Sequence, residues 1–146
     1  MSSLQIIKPI QVSDAMLISS TVPETDYAAW SIGTTYAIGD RVILTSTHKI
    51  YESLQASNLN NPPATSPAHW IVVSPTNRWK AFDAANSTAT TQASSISYVL
   101  RAGSAVKNVA VLGLVHASSL RLVLTDPVYG VVFDKTINFS TAPLAS

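Results

Sequence analysis

Tyr36-Ala37-Ile38-Gly39-Asp40-Arg41-Val42-Ile43-Leu44-Thr45-Ser46-Thr47-His48-Lys49-Ile50-Tyr51-Glu52-Ser53-Leu54 is the stretch from which the fold of this chain is read. Tyr36 to Asp40 has the composition of a turn, in which Gly39 supplies a permissive backbone and Asp40 can accept hydrogen bonds from nearby amides. Residues 41–45 leave that turn as a β-branched strand. Residues 48–54 read as its return partner, with Ile50, Glu52 and Leu54 facing one way and Lys49, Tyr51 and Ser53 the other. The link Thr45-Ser46-Thr47 suits a hairpin.

Outward from this hairpin, Trp30 precedes it, and a run from Asn58 to Pro63 and then Trp70 follow it. Residues 60–67 must be irregular, because Pro62, Pro63 and Pro67 offer no amide to a ladder. Residues 69–73 close the small module as a further strand, and Ser74-Pro75-Thr76-Asn77 reads as a break that marks a domain boundary. Upstream, residues 1–28 hold two short apolar segments, 4–12 and 15–22, interrupted by Pro9 and by Ser13-Asp14. Pro9 confines the first to an edge or an extended arm, and Ser13-Asp14 could cap a short helical turn. The whole segment is read as an arm.

Beyond residue 77 the pattern changes to longer strands. Ile96, Tyr98 and Leu100 alternate with Ser95, Ser97, Val99 and Arg101, and residues 106–115 are apolar on both parities, as in a central strand covered on both sides. Leu120, Leu122 and Leu124 alternate again, and Asp126-Pro127-Val128-Tyr129-Gly130 turns the chain into residues 131–139, where Phe133, Ile137 and Phe139 share a face with Lys135. Four strands joined by short turns predict an antiparallel sandwich or jelly roll. The expected fold is therefore all-β: an arm over 1–28, a small β-hairpin module over 29–74 and a β-sandwich over 75–146. Four strands leave an apolar face and two edges uncovered, so assembly with other chains is expected.

Composition narrows the function. The chain has 146 residues, 47% of them hydrophobic and 12% charged, which excludes a disordered polymer. A net charge of +1, with basic residues scattered singly, offers no patch to a phosphate backbone. The apolar run 109–115 is too short to span a bilayer, and the N-terminus lacks the basic-then-apolar layout of a signal peptide. With no cysteine, disulfides, thiolate zinc sites and cysteine nucleophiles are all excluded, which fits folding in a reducing cytoplasm.

Residues that could carry chemistry are few. His48, His69 and His116 stand far apart, none with a neighbour at metal-ligand spacing. Gly103-Ser104 lacks the second glycine of a nucleophile elbow, and no glycine loop could cradle phosphate. Asp40 and Glu52 could approach one another as a carboxylate pair, although Asp40 serves its turn and Glu52 lies on a short strand. Trp30, Tyr36, Tyr51 and Trp70 either form the module's core or offer a ring face to a sugar or peptide. Tyr36, Tyr51 and Trp70 are the candidate contact residues, with Tyr36 and Trp70 the foremost exceptions to a core role. Trp79 and Phe82, three apart, suit one helical turn or a plug under the sandwich, and Asp83 opens a polar loop with too few carboxylates for a hard cation.

The cassette of Trp30, Tyr36, Gly39-Asp40-Arg41-Val42, Tyr51, Pro63 and Trp70 resembles the small chitin-type carbohydrate-binding modules of families five and twelve. In that family the segment after the second Tyr carries the aromatic residues on which sugars stack, whereas residues 52–61 here contain none. Asn77-Arg78-Trp79-Lys80-Ala81-Phe82-Asp83 resembles the entry to galactose-binding-like jelly rolls. The two in succession resemble small structural proteins of tailed bacteriophages. That resemblance implies a non-enzymatic virion component of the tail tip, baseplate or fibre-attachment region, assembled in the bacterial cytoplasm. It would contact other virion proteins and copies of itself, with no cofactor, nucleic acid or membrane insertion. The alternative it implies is a module that binds a host surface glycan.

Overall fold

The computed structural model describes residues 9–83, 85 and 87–139, and these are nearly all β. Seven strands form three antiparallel sheets: β1 (Leu17–Ser20) with β5 (Tyr98–Leu100); β2 (Arg41–Leu44), β3 (Lys49–Ser53) and β4 (Trp70–Pro75) in that order; and β6 (Ser119–Asp126) with β7 (Gly130–Asn138). The chain divides into two compact units, Met1–Lys107 and Asn108–Ser146.

In the first unit the hairpin forms as its sequence dictates. Gly39 takes φ +85°, a region open to glycine, and Asp40 Oδ2 accepts the Ala37 amide at 2.7 Å to close the turn. β2 then pairs with β3 from Arg41 opposite Glu52 to Leu44 opposite Lys49. β3 pairs on its other side with β4, and the register slips between Ile50 and Tyr51, which face Ser74 and Val72 and leave Val73 as a bulge. The core packs Tyr36, Val42, Tyr51 and Trp70 together, with Trp30 and Leu44 against them.

The proline-rich stretch folds because Asn58 replaces the ladder that prolines deny. Its backbone pairs both ways with Tyr36, and its buried side chain donates to Ser53 Oγ at 3.0 Å and to the His69 carbonyl at 3.2 Å. Its Oδ1 accepts from Asn61 Nδ2 at 2.8 Å. A buried polar side chain that fills its hydrogen-bonding capacity holds a loop as firmly as apolar packing does.

Three expectations change. Residues 13–20 are no outward arm: Asp14–Met16 form a 3-10 turn and β1 lies against β5 of the same chain, while residues 1–8 lie outside the described set. The break expected at 74–77 falls inside the first unit, where β4 runs on to Pro75 and Thr76 is fully buried, tied by its amide to the His48 carbonyl at 2.9 Å. Residues 106–115 form no strand; an apolar β-branched run needs a neighbour's backbone to become one, and positive φ at Gly113 and His116 turns the chain away from extension.

The second unit contains the β6–β7 ribbon. Asp126 Oδ1 accepts the amides of Val128 and Tyr129 at 2.8 and 3.0 Å, fixing the turn, and Arg121 pairs with Asp134 across the strands through two contacts of 2.9 and 2.6 Å. The Tyr129 and Val128 amides hold the Asp126 carboxyl below the usual range, and the hydrogen bond from Arg121 does the same for Asp134.

Replacing Asn58 with Ala should cost about 2–3 kcal/mol, since it takes the donor from buried Ser53 Oγ and the His69 carbonyl and the acceptor from Asn61. Urea unfolding followed by tryptophan fluorescence measures this, and a loss under about 0.5 kcal/mol would refute the role given to Asn58. In the ribbon, both aspartates lose protons more readily folded than unfolded. Their contribution is thus present above the ordinary carboxylate pKa of about 3.9 and lost as pH falls through the lowered values. An NMR titration of the side-chain carboxyls should place both midpoints below that value, and a midpoint at or above it would contradict the geometry.

Candidate functional site

Tyr36, Tyr51 and Trp70, the residues expected to offer ring faces, are all buried in the core of the first unit, at 8%, 4% and 3% exposure. Tyr36 and Trp70 meet edge to face with centroids 5.1 Å apart. The Trp70 indole donates to the Asn61 carbonyl at 2.8 Å, the Tyr36 hydroxyl accepts the Ser31 amide at 2.8 Å, and the Tyr51 hydroxyl lies 3.2 Å from Thr47 Oγ1. Both the faces and the polar tips of these rings are therefore engaged. A module this small has few other large side chains from which to build an interior, which is why Tyr36 and Trp70 are not exceptions to the core role.

Nor do the two acids of the hairpin pair up. Asp40 caps its own turn, and Glu52 accepts from Arg41 Nε at 2.7 Å, with the Tyr27 hydroxyl 3.3 Å from Arg41 on the far side. Asp83 accepts from Thr88 Oγ1 and the Ala85 amide, so it closes its loop upon itself. No group of three His, Cys, Asp or Glu side chains able to hold a metal ion occurs among the described residues.

The polar centre of the first unit lies elsewhere, around Glu24. Its side chain is only 7% exposed, and Oε1 lies 3.0 Å from His48 Nδ1 and accepts from Thr76 Oγ1 at 2.9 Å. Oε2 lies 3.6 Å from Arg78 Nη1, and Arg78 Nε donates to the Val22 carbonyl at 2.7 Å. The other nitrogen of His48 lies 3.4 Å from Asp14 Oδ1, so the imidazole sits between two carboxylates. Nδ1 is thus taken up by Glu24.

His48 holds this place at φ +55°, a left-handed backbone seldom adopted outside glycine, at the end of the β2–β3 link. Its ring stacks on Trp79 with centroids 4.1 Å apart; Trp79 meets Phe82 edge to face at 5.7 Å, and Phe82 meets Tyr98 at 4.9 Å. Trp79 and Phe82 do plug a core, but one that joins the hairpin module to the β1–β5 pair. Tyr98 ends the row by donating to the Arg78 carbonyl at 2.8 Å, and burial pushes its phenol above the ordinary range.

Beside this row lies a cavity of about 240 Å³ lined by Asp14, Leu17, Ile18, Ser19, Ser20, His48, Arg78 and Trp79. It falls short of the roughly 300–1,000 Å³ of ligand pockets, and of its polar groups His48 already faces Asp14 while Arg78 faces Glu24. The arrangement ties segments together better than it recognises a ligand. His69 does not line it, and His116 belongs to the second unit.

What the structure leaves available is apolar surface on strands. On β4, Ile71, Val72 and Val73 are exposed at the free edge of the three-stranded sheet. In the second unit Leu120, Leu122, Leu124, Phe133 and Ile137 share one face of the ribbon, because Leu120 pairs with Ile137 and Leu124 with Phe133. Lys135, opposite Leu122, lies on the same face, and the other face carries Arg121, Val123, Asp134 and Thr136. The β-strand alternation of residues 120–139 already signalled this surface; Glu24 and Thr76 carried no such signal, being single polar residues 52 positions apart.

Compared with protein-family models, with characterised proteins and with solved structures, the chain matches none.

Replacing Glu24 with Ala should destabilise the first unit by about 2 kcal/mol, because Thr76 and His48 lose the acceptor they converge on. Chemical denaturation with tryptophan emission as the readout would show it. An unchanged midpoint would mean that the carboxylate is not the tie described here.

Proposed function

We propose that the chain is a non-enzymatic structural component of a tailed-bacteriophage particle, at the tail tip, baseplate or fibre-attachment region, working by packing against neighbouring subunits. The observation that carries this reading is the ribbon of the second unit, where Phe133 and Ile137 stand exposed beside three half-buried leucines. A two-stranded ribbon is marginal alone in water, and an uncovered apolar sheet face is a surface made to be buried. The virion context rests on the sequence: a hairpin module running into residues 77–83 resembles phage structural proteins.

Polar chemistry in the first unit points the same way. Glu24, Asp26 and Arg78 are spent on holding segments together, and the cavity beside His48 is small. The glycan-binding alternative gains little support, since a sugar stacks on an open ring face and Tyr36, Tyr51 and Trp70 have none to offer.

Peptide mass spectrometry of purified particles, from the phage whose genome encodes the chain, should detect it at a fixed stoichiometry to other tail proteins. Its absence from particles that assemble normally would overturn the reading. Titration with chitin oligomers and host polysaccharide should leave tryptophan emission unchanged, whereas a saturable change would favour glycan binding.

A further inference from the structure

A neutral imidazole carries one N–H, and His48 faces two carboxylates. Glu24 claims the N–H on Nδ1: its Oε1 lies 3.0 Å away, and Thr76 and Arg78 hold the same carboxylate in place. Nε2 is then the nitrogen that gains or loses a proton. It lies 3.4 Å from Asp14 Oδ1, on the 3-10 turn that leads into β1. With Nε2 protonated the contact is an ion pair. With Nε2 bare, a lone pair faces a carboxylate.

We propose that this contact is a pH-operated latch: protonated His48 holds the Asp14–Met16 turn and the start of β1 against the hairpin module, and neutral His48 releases them. The latch goes beyond the virion reading and does not depend on it. Among the described residues, the charged groups around the imidazole are Asp14 from the turn, Glu24 from the segment 22–26 and, beyond Glu24, Arg78 from the stretch after β4. Lys49, the next residue on the hairpin, is exposed. In the row of rings, Trp79 and Phe82 bear no charge, and the Tyr98 hydroxyl donates to the Arg78 carbonyl. Two carboxylates against one guanidinium leave the cluster a positive charge short, and the imidazolium supplies it.

The turn has little else to hold it. Asp14–Met16 contains no buried residue, and Ser13 before it makes no capping hydrogen bond. β1 has a single strand neighbour, β5, and their register slips between Leu17 and Ser19. The cavity beside His48 is lined by Asp14 and residues 17–20 together with His48, Arg78 and Trp79, so the two parts that the latch joins meet across a gap. Close packing that would fix them regardless of charge is missing there. The Asp14 side chain is 82% exposed, which keeps the ion pair modest and sensitive to salt.

Hydrogen exchange of the full chain, expressed as protection factors so that the intrinsic effect of pH drops out, tests the latch. The Arg101 amide, which donates to the Met16 carbonyl at 2.8 Å, reports on the turn. It should be roughly two- to fivefold better protected at about pH 5 than at about pH 8, the range of an exposed ion pair. Asp14→Asn removes the charge and should bring the low-pH protection down to the high-pH value. High salt should narrow the difference. His69→Gln and His116→Gln should keep it in full. His48→Gln should lose it, and where tryptophan emission shows that this variant has not folded, Asp14→Asn alone decides.

Equal or greater protection of the wild-type chain at the higher pH would overturn the proposal. So would a difference that Asp14→Asn retains, or one that either of the other two histidine variants abolishes.

Discussion

A carboxylate taken out of water must find donors, and Glu24 finds them on segments that the chain would otherwise leave apart. His48 comes from the end of the β2–β3 hairpin, and Thr76 and Arg78 from the stretch that follows β4. The cost of leaving such a charge unpaired makes this convergence a requirement of folding. The neighbouring ties depend on it. Asp26 Oδ1 accepts the Asn77 amide at 2.8 Å and Arg78 reaches the Val22 carbonyl, so the segment 22–26 is clasped along its length by residues 76–78. Apolar packing then follows this frame, in the row of rings from His48 through Trp79 and Phe82 to Tyr98.

This frame explains why the boundary between compact units lies after Lys107 and not near residue 75. Proline and small polar residues at 74–77 have the composition of a linker, yet Pro75 ends an edge strand, where its missing amide costs nothing, and Thr76 is buried by two specific hydrogen bonds. Composition describes what a segment can do when nothing grips it. Here something does.

The all-β character, the β2–β3 hairpin, the closing strand β4 and the β6–β7 ribbon were all legible in the sequence, because each rests on local alternation and a turn with its own chemistry, such as Gly39-Asp40 or Asp126 to Gly130. The pairing of β1 with β5 was not, since Leu17 and Leu100 are 83 positions apart and the short strands around them carry no mark of partnership. The run 106–115 misled in the opposite way: its apolar residues on both parities suggested a covered strand, but none forms there. At the candidate site, the sequence named Tyr36, Tyr51 and Trp70 as a set, and the structure keeps Tyr36 and Trp70 in direct contact, but inside the core. Glu24 was illegible because a buried acid looks like any other acid until its donors arrive from elsewhere in the fold.

The slip of register at Val73 has a consequence for how the first unit behaves among others of its kind. A bulge bends and twists the strand that carries it, so the free edge of β4 is not the straight ladder that another strand needs for continuous pairing. Pro75 at the end of the same strand withholds one more donor. Sheet-by-sheet growth through this edge is thereby interrupted within a few residues, despite the exposed Ile71 and Val72. The hairpin module thus presents an apolar edge on which a further strand finds no continuous ladder.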